Sequence, residues 1–408
     1  MKNTTEYILA GPFAQLLTMD NLALRGPLTD DQLSVIADAG IVYSGTKIIA
    51  VGSYEQLALQ NPNCKLQTYA TKGVCLPAFV DVHTHICWEG SRASDFAARI
   101  AGKSYQQIAA MGGGIWDTVQ KTRMASLETL VANTVQHANA LYEQGVHTIE
   151  VKSGYGLSVE HELKILAAIQ LANKQCKAQL VSTCLAAHIV AKDFEGSERE
   201  YLDVILTELL PKVKARDLSR RVDIFVEEGA FSTSAAEYYL SKAKSLGFDI
   251  VLHGDQFSCG AAALAAKLDA LSIDHLEAAN DAEIAILAQS NCIPVALPGA
   301  SLGIGAALTP ARKLLDAGCS LVIATDWNPG SAPMGNLIAQ TSILACYEKL
   351  STAECFAAIT FRAAKALNMN DRGCLRKGMR PDFVVFDCKD YREILYQQGM
   401  LKTIKAEV

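Results

Sequence analysis

Residues 74–85 run Val74-Cys75-Leu76-Pro77-Ala78-Phe79-Val80-Asp81-Val82-His83-Thr84-His85, an apolar stretch that ends on two histidines separated by one residue. Up to Val82 it has the length and composition of a buried strand. Comparable runs return at 148–152, 179–187, 222–227, 248–253, 270–275, 292–297 and 320–325. Amphipathic stretches separate them at 127–142, 159–174, 198–210, 234–245, 259–267, 281–289 and 310–316. Strand and helix alternating eight times predict an α/β fold, a (β/α)8 TIM barrel. A doubly wound open sheet is disfavoured, because no Gly-x-Gly-x-x-Gly follows the first strand. Helix-end chemistry agrees with the alternation. Ser126 stands before Leu127 as an N-cap, and Gly145 and Gly247 close helices where a left-handed residue is favoured.

The flanks read differently. Short strand patterns at 7–10, 41–43 and 47–51 precede the barrel, and Asp382-Phe383-Val384-Val385-Phe386-Asp387 follows it. A small composite β domain of residues 1–73 plus 370–408 is expected, with 74–369 forming the barrel.

A chain of 408 residues suits such a barrel with an accessory domain. The net charge of -6, without clustered Lys and Arg, argues against nucleic acid as a partner. The 12 cysteines are scattered singly, mostly in apolar runs, with no Cys-x-x-Cys. That distribution points to free thiols in a reducing cytoplasm, not to disulfides or a zinc ribbon. The N-terminal stretch lacks the long apolar segment of a signal peptide, and no window approaches the roughly 18 apolar residues of a membrane span. A cytoplasmic protein without membrane contact is the expectation.

Barrel enzymes carry their chemistry at the C-terminal ends of the strands. On an extended chain His83 and His85 project to one side. The fifth strand ends in His253, the sixth in His275, and the eighth runs into Asp326. His83, His85, His253 and Asp326 make a three-nitrogen, one-oxygen set that suits one zinc or iron ion with an open position. Water on such an ion loses its proton near pH 7, at roughly 7 instead of near 16. Asp326 is placed to take that proton, and His275 to polarise a carbonyl or shuttle protons. The fourth strand ends Phe225-Val226-Glu227-Glu228 without a Lys, so a carboxylated lysine bridging two metals is not indicated.

The motifs around these positions are more specific. They include His83-Thr84-His85 with Ser91-Arg92, Gly112-Gly113-Gly114-Ile115, Lys152-Ser153-Gly154-Tyr155-Gly156, Asp274-His275-Leu276-Glu277 and Thr325-Asp326-Trp327-Asn328-Pro329-Gly330-Ser331. Together they resemble the imidazolonepropionase branch of the metal-dependent amidohydrolase superfamily, and the resemblance spans the barrel and reaches residues 378–387. It implies a barrel with a small β-sandwich built from both termini, and a homodimer. The activity implied is hydrolysis of the ring amide C–N bond of 4-imidazolone-5-propanoate to N-formimino-L-glutamate, a step of histidine degradation. The metal ligands implied are again His83, His85, His253 and Asp326, with Asp326, His275 and Gln256 at the reacting centre. The implied substrate contacts are Arg92, Tyr105, Tyr155, His188, Gln256, Asn328, Gly330 and Ser331. A guanidinium at Arg92 suits a propanoate tail.

The sequence departs from the family pattern in three places. Ala78 stands where the family commonly has Gly, the Pro often found soon after the third-strand His is missing beyond His188, and Gln256 occupies a position that is Glu in some relatives. An amide is no general base, so Gln256 is expected to contact the ring and leave base work to Asp326 with His275. Two other functions compete with this one. A related cyclic-amide hydrolase or heteroaromatic aminohydrolase would share the fold, but Arg92, Tyr155 and the Asn328–Ser331 loop favour an acidic tail on the substrate. A non-catalytic ligand-binding barrel would have little use for all four metal ligands together with His275.

Overall fold

Backbone pairing sorts the apolar runs into two sheets. In a computed structural model of the chain, residues 6–103, 107–108 and 111–407 are described. The strands are Ile8–Leu17 (β1), Val35–Ser44 (β2), Lys47–Ser53 (β3), Lys65–Gln67 (β4) and Val74–Pro77 (β5). They continue with Phe79–Asp81 (β6), Val146–Lys152 (β7), Gln179–Ala187 (β8), Arg221–Val226 (β9) and Asp249–Gly254 (β10). The last are Ser272–His275 (β11), Ile293–Ala296 (β12), Val322–Ile323 (β13) and Phe383–Phe386 (β14).

Strands β6 to β13 pair in chain order as one eight-stranded parallel sheet, the expected barrel. It closes at its C-terminal mouth, where the Asp326 N–H donates to the His83 carbonyl at 2.9 Å and the His85 N–H to the Trp327 carbonyl at 3.0 Å. Helices cover it as the apolar periodicity requires. Helix Leu127–Tyr142 turns Leu130, Val131, Thr134, Ala138 and Leu141 inward. Its cap is the expected one, the Ser126 side chain accepting from the Thr129 N–H. Gly145 and Gly247 take φ of 93° and 87°, the left-handed closures read from the sequence.

The second sheet draws on both ends of the chain, in the order β14-β5-β1-β2-β3 with β4 beside β1. Its own apolar cluster includes Phe13, Ile41, Ile48, Cys75 and Leu375. The run 74–82 is not one strand but two: β5 pairs with β1 and β14, and after Ala78 β6 pairs with β7 in the barrel. The ribbon changes sheets at Ala78, whose N–H donates to the Asp382 carbonyl. Helices Ala93–Ile100, Ile115–Met124, Leu337–Glu348, Thr352–Ile359 and Phe361–Ala366 complete the barrel's cover and were not marked in the sequence pattern. Among the described residues no helix is long and apolar enough to cross a membrane, and all 12 cysteines are free.

Candidate metal centre and its surroundings

β6 delivers His83 and His85 to the barrel mouth, β10 delivers His253, and the chain leaving β13 delivers Asp326. All four are buried. The Nε2 atoms of His83 and His85 are 3.2 Å apart, and those of His253 and His85 3.4 Å. Asp326 Oδ1 lies 3.3 Å from His83 Nε2 and 3.2 Å from His85 Nε2. Four ligands each about 2.0–2.1 Å from one zinc ion stand about 3.3 Å apart. The observed spacings match that edge.

The proton inventory supports the same reading. His83 Nδ1 is 2.7 Å from Asp274 Oδ2, and His253 Nδ1 is 2.9 Å from Asp223 Oδ2. Carboxylates behind Nδ1 keep the proton there and turn the Nε2 lone pairs toward one another. Converging lone pairs repel unless a cation joins them, so these residues fit a metal ion. Burial opposes ionisation of Asp326, yet the His83 and His85 rings beside it hold its carboxyl well below the usual range.

The mouth is also where the backbone departs from favoured conformations. His275, Leu276 and Asp326 have φ of 89°, 68° and 49°, left-handed values that cost a non-glycine residue roughly 1–3 kcal/mol each. His275 is buried beside the cluster, its ring centroid 5.5 Å from that of His253. Its carbonyl accepts from the Thr309 hydroxyl, and its Nδ1 lies 3.6 Å from Glu277 Oε1.

Most of the remaining expected residues surround this core. The His188 ring stacks on His85 at 5.5 Å, with its Nδ1 3.1 Å from the Gly154 carbonyl. Burial, then His85, pushes its pKa down to about 3, so the ring is neutral with Nδ1–H donating and Nε2 free to accept. Tyr155 is buried, and burial with the nearby Asp326 carboxylate raises its phenol's pKa while the Arg92 charge lowers it. Arg92 donates through Nε to Asp95 Oδ2 at 2.9 Å, and the same oxygen accepts from the Gly114 N–H at 2.9 Å. The guanidinium lies against Gly330, where a Cβ would come within 2.3 Å of Arg92 Nη1. A cleft of about 440 Å³ opens over Arg92, bounded by Trp88, His137, Trp327, Asn328 and Gly330.

Asn328 shapes the loop that carries it. Its Oδ1 accepts from the N–H groups of Gly330 and Ser331 at 2.7 and 2.9 Å, and its Nδ2 donates to the Asp326 carbonyl at 2.7 Å. Ser331 Oγ is 3.0 Å from Asn328 Nδ2. Gln256 is half-buried, and its side chain has no hydrogen bond among the described residues. Tyr105 lies outside the described residues.

Several residues of the site escaped the sequence reading. Asp223 and Asp274 sit inside strands, behind His253 and His83. Lys152 bridges them, its Nζ 2.8 Å from Asp223 Oδ2 and 3.4 Å from Asp274 Oδ2. Glu227 holds the loop bearing Gln256, accepting from the N–H groups of Phe257 and Ser258. A usable signal was present in 146–152: Thr148, Glu150 and Lys152 alternate on one face of a strand that the barrel must bury.

Comparisons with known proteins agree with this geometry. Residues 74–406 match the model of the Amidohydrolase family. An imidazolonepropionase of Bdellovibrio bacteriovorus is 39% identical over 398 residues, covering 96% of this chain and 93% of the relative. One from Streptococcus sanguinis is 38% identical over 380 residues, covering 91% and 90%. Among solved structures, a zinc-bound adenosine deaminase from Xanthomonas campestris superimposes with a TM-score of 0.68 at 18% identity, covering 99% of this chain and 91% of that one. A triazine hydrolase variant gives 0.67 at 16% identity over 95% and 88%. At such identities the two structures speak for the fold alone.

Proposed function

This chain belongs to the amidohydrolase family and, within it, to the imidazolonepropionases, and from that premise we infer that it hydrolyses the ring amide C–N bond of 4-imidazolone-5-propanoate to N-formimino-L-glutamate, a step of histidine degradation. The observation that carries this reading is the cluster of His83, His85, His253 and Asp326 at 3.2–3.4 Å spacing, with the Arg92 guanidinium at the same mouth. His83, His85, His253 and Asp326 would hold one zinc or iron ion, for which three imidazoles and a carboxylate are suitable donors. When bound, the ion supplies Lewis acidity and lowers the pKa of water to about 7.

The chain's own groups do the rest. The free end of the Arg92 guanidinium pairs with the propanoate, and Asp95 fixes its direction. Neutral His188 accepts a ring N–H at Nε2, while Tyr155, held protonated, donates. Asp326 is ionised and takes the proton of the attacking water. His275 faces the carbonyl as it gains charge, or passes a proton to the departing nitrogen. Gln256 contacts the ring without taking a proton, and Gly330 and Ser331 with Asn328 form the wall beside Arg92. Twelve free cysteines favour a reducing, cytoplasmic setting.

An absorbance assay on freshly generated imidazolone propanoate, set beside cytosine and hydantoins, tests the assignment. Turnover of the propanoate alone is expected. Hydrolysis confined to cytosine or hydantoins would replace this substrate with another of the same family.

A further inference from the structure

Lys152 ends β7 inside the barrel and is only 1% exposed. Three carboxylates ring its ammonium: Nζ is 2.8 Å from Asp223 Oδ2, 3.0 Å from Glu150 Oε2 and 3.4 Å from Asp274 Oδ2. Two of them are the carboxylates that stand behind His253 and His83. Asp223, His253 and Asp274 also form a second group of donor atoms, all within 4.8 Å of one another, of the kind that holds a metal ion. The Lys152 ammonium already sits on both carboxylates of that group. Although burial opposes a charge here, Asp223, Glu150 and Asp274 together push the Lys152 pKa up.

We propose that the Lys152 ammonium takes the place of a second metal ion. It occupies the Asp223–Asp274 gap where another cation would bind, and so fixes the centre at one metal. Buried carboxylates facing one another repel strongly in a medium of low dielectric, so some cation is required between them. A lysine supplies it within the chain, needing no metal from solution, and keeps both carboxylates directed at the imidazoles. The proposal rests on the reading that His83, His85, His253 and Asp326 hold an ion.

Metal counting tests it. Wild type, Lys152→Ala and Lys152→Arg are stripped with a chelator, dialysed against zinc or cobalt(II) up to millimolar concentration, and assayed for metal per chain. Circular dichroism confirms that each is folded. One equivalent is expected for wild type and for Lys152→Arg, which keeps the charge. Two are expected for Lys152→Ala, where three carboxylates face an emptied space, with a second set of cobalt absorption bands. Folded Lys152→Ala that saturates at one equivalent overturns the proposal. Wild type that binds no metal overturns the metal-centre reading itself, so the two failures are distinct. Should Lys152→Ala not fold, Lys152→Ala combined with Glu150→Gln carries one less uncompensated charge, and the same counts decide.

Discussion

Adding one methyl group at Gly330 should act mainly on the guanidinium that faces the substrate's tail, with a lesser contact 3.3 Å from Asn328 Oδ1. A Cβ there would lie 2.3 Å from Arg92 Nη1 and 3.1 Å from its Cζ. Ordinary contacts between heavy atoms are about 3.5–4.0 Å, so the guanidinium must withdraw by about 1 Å. It does not swing freely, because Nε is tied to Asp95, which is itself held by the Gly114 N–H. The φ of Gly330 is not left-handed, so the methyl acts by contact and not by backbone strain. A hydrogen bond to a charged group contributes about 1.5–3 kcal/mol. At 1.36 kcal/mol per tenfold, losing one predicts a fall in kcat/KM of about 10- to 150-fold for Gly330→Ala. The tail is gripped equally before and during reaction, so KM should carry the change and kcat should stay within about twofold. Initial rates on imidazolone propanoate, at confirmed full metal content, measure both constants. Arg92→Ala should raise KM at least as far, and adding Gly330→Ala to it should change little more, since both remove one contact. A KM within about twofold of wild type, or a loss confined to kcat, would refute the placement of the tail on Arg92.

His253→Ala is expected to abolish turnover and to lower bound metal well below one equivalent; full metal content with lost activity would move His253 from ligand to another role. His188 should make stability depend on acid. Its pKa is about 3 in the native chain against 6.5 ordinarily, so between these values the unfolded state binds the extra proton and stability falls as pH drops below 6.5. At pH 5 the loss from this residue is about 2 kcal/mol relative to neutral pH, and urea unfolding should show the acid loss reduced by about that amount in His188→Gln, the part due to His85, His137 and His253 remaining. Cys259 and Cys346 are exposed, so a thiol reagent should modify two cysteines rapidly in the native protein; rapid modification of buried Cys184 or Cys355 would contradict the packing.

What the sequence made legible follows from which signals are local. Each barrel strand shows a short apolar run, and a His or Asp at a strand end is visible without knowing its neighbours. His83 and His85 lie two residues apart, so their convergence needed no tertiary knowledge. Asp223 and Lys152 meet across 71 residues, and His83 and Asp274 across 191, so no local pattern announces either pair. The split at Ala78 was hidden for a related reason. Apolar character says that a run is buried, but not which sheet buries it, and 74–77 and 79–81 are equally apolar. The helix expected at 198–210 instead continues to Ala215, with a π turn at Ile205–Leu209 just ahead of Pro211, whose missing N–H would leave a gap in an unbroken α-helix.

That change of sheets at Ala78 makes one ribbon answer to two masters. Residues 74–77 are pinned between strands contributed by the beginning and the end of the chain, and six residues beyond Pro77 the same ribbon presents its first imidazole. Phe79 stacks on Phe386 at 5.8 Å, clamping the junction from the C-terminal side. Trimming away Phe383–Phe386 would therefore reach the barrel mouth through the chain itself, by loosening the anchorage of His83 and His85. The accessory sheet is the mooring of the reactive end of the molecule.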